Sequence, residues 1–168
     1  LSGQGFGGVS LSIRRGEVVG FTGLVGAGVS ELFQTIFGER PITGGCLKIA
    51  GVLVTSHSIH RAMLNKVSMI AANRKENSII PDFTLLENDY ISEHTLTWRR
   101  QHISRQKEVR KYEELRKKLN IKSNSPDDLI TSLSGGNQQK VILARWLNTQ
   151  SDILLMDIRM KTVSGLAA

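Results

Sequence analysis

A glycine-rich loop between an apolar run and a helical pattern constrains this chain more than any other feature. The run Val18–Thr22 predicts a buried strand, and residues 23–30, which follow it, have the sequence GLVGAGVS. From Ser30 to Phe37 the apolar residues fall on one helix face, and Gly38 is placed to end that helix. A strand, a glycine-rich loop and a helix in this order predict backbone amides that surround phosphate oxygens.

The spacing of the loop assigns a role to each of its residues. Gly23 and Gly28 match the two glycines of the pattern G-x-x-x-x-G-K-[ST], and Ser30 matches the hydroxyl that binds magnesium. Gly26 and Ala27 lie between them and complete the predicted phosphate contacts. On this motif alone, an ordinary tight turn is an equally good interpretation.

The lysine of that pattern is missing, because Val29 occupies its position. A valine carries no charge to hold the terminal phosphates as they transfer. We therefore expect Val29 to line a loop that binds nucleotide weakly and does not support fast hydrolysis.

The composition is that of one globular domain without a membrane span. Of the 168 residues, 40% are hydrophobic and 22% charged, and no apolar run approaches the roughly 20 residues that a bilayer requires. The lone Cys46 offers no disulfide framework, which favours a reducing, cytosolic compartment. The four histidines lack the spacing of metal ligands, and we assign no metal to them.

Much of the net charge of +7 comes from Arg99–Lys118, which holds nine Lys or Arg against three Glu. Such a stripe could bind nucleic acid. Because the opposite charges interleave at helical spacing, we favour a solvated helix face and expect no nucleic acid partner.

The remaining pattern alternates strands and helices. Apolar runs at Val67–Ile70 and Ile153–Met156 predict strands, whereas Gln138–Leu147 and the amphipathic stretch Ser104–Leu119 predict helices. In the latter stretch the apolar positions are Val109, Tyr112, Leu115 and Leu119, and in Gln138–Leu147 the helix face is Val141, Ile142, Ala144, Arg145 and Leu147. This order predicts an α/β fold with a mostly parallel sheet.

A second motif, LSGGNQQK at residues 133–140, identifies a family. It is similar to the L-S-G-G-Q signature of ATP-binding cassette (ABC) ATPases. With LARWL at 143–147 and GLVGAG at 23–28, it resembles the second cassette of bacterial monosaccharide importers such as those for ribose, galactose and xylose.

The resemblance implies a fold, cofactors and partners. It implies a P-loop NTPase core (1–80 and 129–168) with an inserted helical subdomain (81–128) and an incomplete C-terminal lobe. It implies ATP with Mg²⁺, bound between the phosphate loop of one cassette and the signature of another. In that arrangement Ser134, Gly135, Gly136 and Gln138 contact the ATP of a partner cassette, which belongs to the same polypeptide or to another subunit, and Ser134 also caps its helix.

The resemblance also places the chain on the inner face of the cell membrane. The helical subdomain would dock on a permease, with Leu85, Leu86 and Ile91 lining the contact or, alternatively, forming the subdomain's own core.

The sequence departs from the family at several functional positions. Asp157 matches the magnesium aspartate, but Ile158 replaces the glutamate that follows it and cannot activate water. Ala72 replaces the Glu or Gln that links the metal to the helical subdomain, although Arg74 and Lys75 match the family. We expect this cassette not to turn over ATP by itself. A non-functional, truncated remnant is the alternative.

Overall fold

The computed structural model describes residues 1–24, 26–72, 78–97 and 104–157. In these residues the helices and strands are, in order, β1 (Ser2–Gly3), α1 (Val29–Phe37), β2 (Ile42–Gly44), β3 (Lys48–Ile49), β4 (Val52–Leu53), α2 (Ile59–Leu64), β5 (Val67–Ile70), α3 (Leu85–Thr97), α4 (Arg105–Lys118), the 3-10 turn Ile130–Ser132, α5 (Gly135–Asn148) and β6 (Ile153–Met156). None of the described helices combines the length and the apolar character needed to cross a membrane.

The central strand pair is parallel, as predicted. Strand β5 pairs with β6 in a register that runs from Val67 opposite Ile153 to Ile70 opposite Met156. Every residue of β5 is buried, whereas Ile153, like most of β6, is exposed. The other described pairs, β1 with β2 and β3 with β4, are antiparallel. The predicted strands at 67–70 and 153–156 are therefore confirmed.

The predicted strand Val18–Thr22 is wrong. No described strand pairs with this segment, and Val18 is fully exposed. An apolar run becomes a strand only when a neighbouring strand supplies its hydrogen bonds, which the segment itself does not encode. Phe21 still contacts the core, because its ring packs edge-on against Phe33 with centroids 5.4 Å apart.

Helix α1 follows its sequence pattern closely. Its residues Leu32, Phe33 and Phe37 are buried. Gly38 ends the helix in the left-handed conformation, with φ of 87°, and donates its N–H to the carbonyl of Thr35. The predicted helix and its glycine stop are confirmed.

Helix α5 begins three residues earlier than predicted. Its buried face holds Val141, Ile142 and Ala144 together with Arg145, as expected. Leu147 was predicted to share that face, but it is 41% exposed. Residues 141, 145 and 148 lie on one side of the helix, and the helical rotation carries residue 147 away from it.

Two apolar clusters make up the core, and α5 contributes to both. The first cluster packs α1, α2, β5 and α5 together; its buried members are Leu32, Phe33, Phe37, Ala62, Met63, Val67, Met69, Ile70, Ile142 and Trp146. The second cluster joins α3, α4 and the other side of α5; its buried members are Leu85, Leu86, Tyr90, Tyr112, Ile121, Ile130, Val141 and Ala144. The position of α5 is thus fixed from two sides.

The second cluster decides between two predictions for the helical region. Leu85 and Leu86 are buried in it, so the hypothesis that they line a docking groove is wrong and the core alternative is confirmed. Ile91 is half-buried. On α4, Tyr112 is fully buried, and its predicted apolar companions Val109, Leu115 and Leu119 pack against the same cluster.

Candidate functional site

The loop that precedes α1 is closed tightly by glycines. The amide of Ala27 donates to the carbonyl of Leu24 at 2.9 Å. A Cβ on Gly23 would lie 2.8 Å from the Cβ of Ala27, so a side chain at position 23 would collide with the loop. Gly26 has φ of 86°, which non-glycine residues rarely adopt. Val25 lies outside the described residues.

Gly28 occupies the N-cap of α1 and can only be glycine. Its φ is 88°, and a Cβ there would stand 2.6 Å from the carbonyl oxygen of Gly5 and 2.9 Å from the Cβ of Phe6. Its carbonyl accepts the amide of Leu32, which closes the first helical turn. Because Gly28 has no side chain to cap the helix, the amides of the first turn are available to an anion. Glu31 in the same turn adds negative charge, which weakens that attraction.

The residue in the lysine position turns toward the protein. Val29 is half-buried and packs against the first cluster. Ser30 follows it, half-buried in the first turn of α1. The hydroxyl predicted to bind magnesium therefore sits at the helix N-terminus, whereas position 29 contributes to the core.

The predicted metal aspartate lies at the carboxyl edge of the parallel pair. The amide of Asp157 donates to the carbonyl of Ile70 at 2.9 Å, and both Asp157 and Ala72 are half-buried just beyond their strands. Since α1 packs against β5, the segments that carry Ser30 and Asp157 border the same core. Ile158, Arg74 and Lys75 lie outside the described residues.

A magnesium ion here would depend on its nucleotide. Within the described residues, no group of three or more His, Cys, Asp or Glu side chains is placed to hold a metal ion. Magnesium in phosphate sites takes one or two protein ligands and completes its shell with phosphate oxygens and water. One hydroxyl and one carboxylate, from Ser30 and Asp157, fit that mode of binding.

The signature motif, residues 133–140, lies at the N-terminus of helix α5. Ser134 is the N-cap residue and is exposed, but its side chain makes no capping hydrogen bond, contrary to the prediction. Its Oγ instead accepts a bond of 3.2 Å from Nδ2 of Asn137. Gly135 is half-buried, and Gly136 is exposed with open space where a Cβ would stand. The first amides of α5 can therefore be approached closely from solvent.

The next two side chains fix the signature in place. Gln138 is buried, and its Nε2 donates to the carbonyls of Ile130 and Leu133, both at 3.1 Å. Oδ1 of Asn137 accepts the amide of Lys122. In this structure Gln138 supports the 3-10 turn before the signature, which favours a positioning role over the predicted contact with nucleotide.

A buried polar group that the sequence did not predict joins α3 to the signature helix. Arg145 is 6% exposed, and its guanidinium donates to the backbone carbonyls of Asn88 and Ser78 and to Oδ1 of Asn88. Burial lowers the pKa of Arg145 to about 10 and raises the pKa of neighbouring Asp89 to about 7. The available signal was an arginine within an otherwise apolar helix face.

Comparison with known proteins places this geometry in a family. The family model described as ABC transporter matches residues 6–158. The chain is 40% identical over 152 residues to the ribose import ATP-binding protein RbsA of Halalkalibacterium halodurans, which covers 90% of this chain and 30% of that protein. It is 40% identical over 159 residues to the arabinose import ATP-binding protein AraG of Mannheimia succiniciproducens, covering 94% and 32%. The chain thus spans about a third of these relatives.

Solved structures agree on the fold. The dimeric, post-hydrolysis structure of the ATP-binding cassette MJ0796 bound to ADP and Pi aligns with a TM-score of 0.72 and 25% identity, covering 88% of this chain and 62% of that one. A second dimeric structure of MJ0796 aligns with a TM-score of 0.63 and 23% identity, covering 79% and 56%.

Proposed function

The chain belongs to the ABC transporter family, and from that premise we propose that it is the second cassette of a bacterial sugar importer. The proposal assigns it two tasks. It binds ATP weakly at its own loop, residues 23–30, and it supplies Ser134, Gly135 and Gly136 to the ATP of a partner cassette. Its relatives' names, which specify import of ribose and arabinose, support a sugar as the cargo.

One observation carries the second task. The N-terminus of α5 is exposed, Gly136 leaves its surroundings open, and the hydroxyl of Ser134 is not used to cap its own helix. Behind it, Gln138 holds the preceding turn rigid. Amides and a hydroxyl that are fixed in place and face solvent are suited to bind phosphate oxygens that another molecule presents.

The first task follows from what the loop keeps and what it lacks. The amides from Gly26 to Ser30 would surround the phosphates. Ser30 and Asp157 are the residues that would hold a magnesium ion, which would neutralise phosphate charge. Val29 supplies no cation, because its side chain is an uncharged hydrocarbon that packs against the first cluster. Binding is therefore weak, and a second defect follows from Ile158, which offers no base for the attacking water.

The partners follow from the same premise. A first cassette with an intact phosphate loop provides the ATP, and a permease is contacted through the helical subdomain, residues 81–128. This arrangement places the chain at the cytoplasmic face of a membrane. The cargo is selected by the permease and its binding protein, so no residue of this chain determines which sugar is transported.

A second candidate, a remnant that neither assembles nor binds nucleotide, rests on the segment before the loop. Val18 is fully exposed and Val19 is 47% exposed, although strand residues at these positions would normally be buried. If the loop is not held by a strand, its amides are not held at fixed positions.

The substitution Val29→Lys allows a direct test, because it restores the missing cation and makes the chain its own partner. With ATP and magnesium, Val29→Lys should form a dimer in sedimentation velocity, since each copy presents a signature to the other's ATP. Adding Ser134→Arg should abolish that dimer while leaving binding of a fluorescent ATP analogue unchanged. Dimerisation that persists in the double variant would contradict the proposed role of the signature, and loss of analogue binding in both variants would favour the remnant.

A further inference from the structure

The contact between Asp89 on α3 and Asn148 at the end of α5 satisfies only part of the hydrogen-bonding capacity of the two side chains. Both residues are buried, with exposures of 0% and 2%. Oδ2 of Asp89 accepts a hydrogen bond of 2.8 Å from Nδ2 of Asn148. The other oxygens of the same two groups, Oδ1 of Asp89 and Oδ1 of Asn148, are buried and have no hydrogen-bond partner in the described part of the chain. Two buried acceptors without donors are costly, and here they belong to side chains that already touch.

A single proton resolves both defects. A carboxylic acid has one O–H donor, whereas a carboxylate has none. A proton on Oδ1 of Asp89 can be donated to Oδ1 of Asn148 while the existing bond remains, which gives a cyclic pair between an acid and an amide. Each of the two groups then donates one bond and accepts one.

The surrounding charges do not remove the need for that proton. The charged and titratable groups near Asp89 come from three helices: Glu93 and Tyr90 on α3, Lys111 and Tyr112 on α4, and Arg145 on α5. The three hydrogen bonds of Arg145 all go to Asn88 and Ser78. Nζ of Lys111 lies 3.9 Å from Oε2 of Glu93. Among the residues that the structure describes, no cation is therefore in direct contact with Asp89.

We propose that Asp89 keeps its proton in the folded chain and pairs with Asn148 as a neutral acid and amide, which makes Asp89 a positioning residue for α5. Helix α5 carries the signature at its first turn and Asn148 at its last residue, so this pair fixes one end of the helix and Gln138 fixes the other. The consequence for the signature rests on the proposed function, whereas the protonation does not.

The pH dependence has a definite sign. Desolvation raises the pKa of Asp89 from 3.8 in the unfolded chain to about 7 in the folded one. The folded chain therefore binds the proton more tightly, and the resulting stabilisation is complete below the unfolded pKa. It is lost as the pH rises toward and through 7.

The matching variant is Asp89→Asn, because a side-chain amide keeps an acceptor oxygen and an N–H donor at every pH and so can replace both bonds of the neutral acid. Urea unfolding midpoints should be measured between about pH 5 and pH 8 for the original chain, for Asp89→Asn and for the exposed-site control Asp82→Asn. The midpoint of the original chain and of the control should fall with rising pH, and that fall should be much smaller in Asp89→Asn.

Two outcomes would overturn the protonation. One is an equal change of the urea midpoint with pH in Asp89→Asn and in the original chain. The other is failure of Asp89→Asn to fold, because a neutral amide should replace a neutral acid. An infrared spectrum gives a second measurement on the original chain alone. At about pH 6 it should contain the carbonyl band of one protonated carboxylic acid, which disappears above about pH 8; absence of that band at the lower pH would contradict the proposal.

Hydrogen exchange tests the positioning role. At about pH 8 the amides of α5 should exchange faster in the original chain than in Asp89→Asn, while those of α1, which belongs to the first cluster, should exchange equally. Equal exchange in α5 would overturn the positioning role. None of these measurements uses nucleotide, so their outcome is separate from that of the proposed function.

Discussion

Arg145 and Asn88 are joined by two hydrogen bonds, from Nε to the backbone carbonyl at 2.5 Å and from Nη2 to Oδ1 at 3.1 Å. A third bond of 2.6 Å runs from Nη1 to the carbonyl of Ser78. Asn88 in turn donates to the carbonyls of Ile80, Phe83 and Thr84, which precede α3. One arginine of the signature helix therefore organises the entry into the helical region.

Replacing this arginine by an apolar residue of similar length should destabilise the fold strongly. Arg145→Met removes the donors of three oxygens, and we expect the free energy of unfolding to fall by about 3 kcal/mol. The control is Arg110→Met, an exposed position on α4 where the change should stay within about 0.5 kcal/mol. Urea unfolding of both variants checks this. Equally small losses in the free energy of unfolding would mean that the hydrogen bonds of Arg145 contribute little to stability.

A capping box begins α3. The amide and the hydroxyl of Thr84 both donate to Oε2 of Glu87 at 2.8 Å, and the amide of Glu87 donates back to Oγ1 of Thr84 at 3.2 Å. Thr84→Ala should cost about 1 kcal/mol in the free energy of unfolding. Thr95→Ala, at an exposed hydroxyl within the same helix, is the control and should cost less.

The same box predicts a pH effect of opposite sign to that of Asp89. The hydrogen bond from the backbone of Thr84 lowers the pKa of Glu87 below its usual 4.5. The folded chain therefore favours the carboxylate, and its stabilisation is present above about 4.5 and lost as the pH falls below it. Glu87→Gln should reduce stability at neutral pH and should flatten the acid side of the stability curve, whereas an unchanged acid limb would contradict the assignment.

Two glycines of the candidate sites should respond differently to alanine. Gly28→Ala places a Cβ against the backbone of Gly5 at φ of 88° and should cost about 2 kcal/mol. Gly136→Ala meets open space inside a helix and should leave stability unchanged or raise it by up to about 1 kcal/mol. In a Val29→Lys background, Gly136→Ala should nevertheless weaken ATP-dependent dimerisation, because the proposed function brings phosphate to the space that the added Cβ would occupy. Retained dimerisation would argue against the signature contact.

Local patterns predicted the elements whose partners are nearby or strongly apolar. Helix α1 ends at Gly38, which adopts the left-handed conformation that stops a helix, and all four residues of the mostly apolar β5 are buried. Val18–Thr22 has an equally apolar pattern and is not a strand, because strand formation depends on a neighbour far away in the sequence. The pattern T-x-x-E at 84–87 is also a local signal for a helix start, and it forms the capping box of α3.

The residues of the candidate site also fall into two groups, those that a local motif predicts and those whose roles depend on distant segments. The glycines at 23, 26 and 28 follow from backbone constraints that a motif encodes directly. A side chain would collide at Gly23 and Gly28, and φ is positive at Gly26 and Gly28. The roles of Gln138 and Arg145 depend on carbonyls contributed by other segments, and spacing along one helix does not reveal these. The nucleotide and metal contacts themselves stay predictions.

The most direct test of the account is titration of a fluorescent ATP analogue, with magnesium, onto the original chain and onto Val29→Lys. The account predicts weak, saturable binding to the original chain and a decrease of at least roughly tenfold in Kd for the variant, because a lysine adds a charge-assisted contact of about 1.4 kcal/mol or more to the phosphates. Circular dichroism should show that both proteins are folded. Absence of binding to both folded proteins would contradict the account, since the loop would then not bind phosphate.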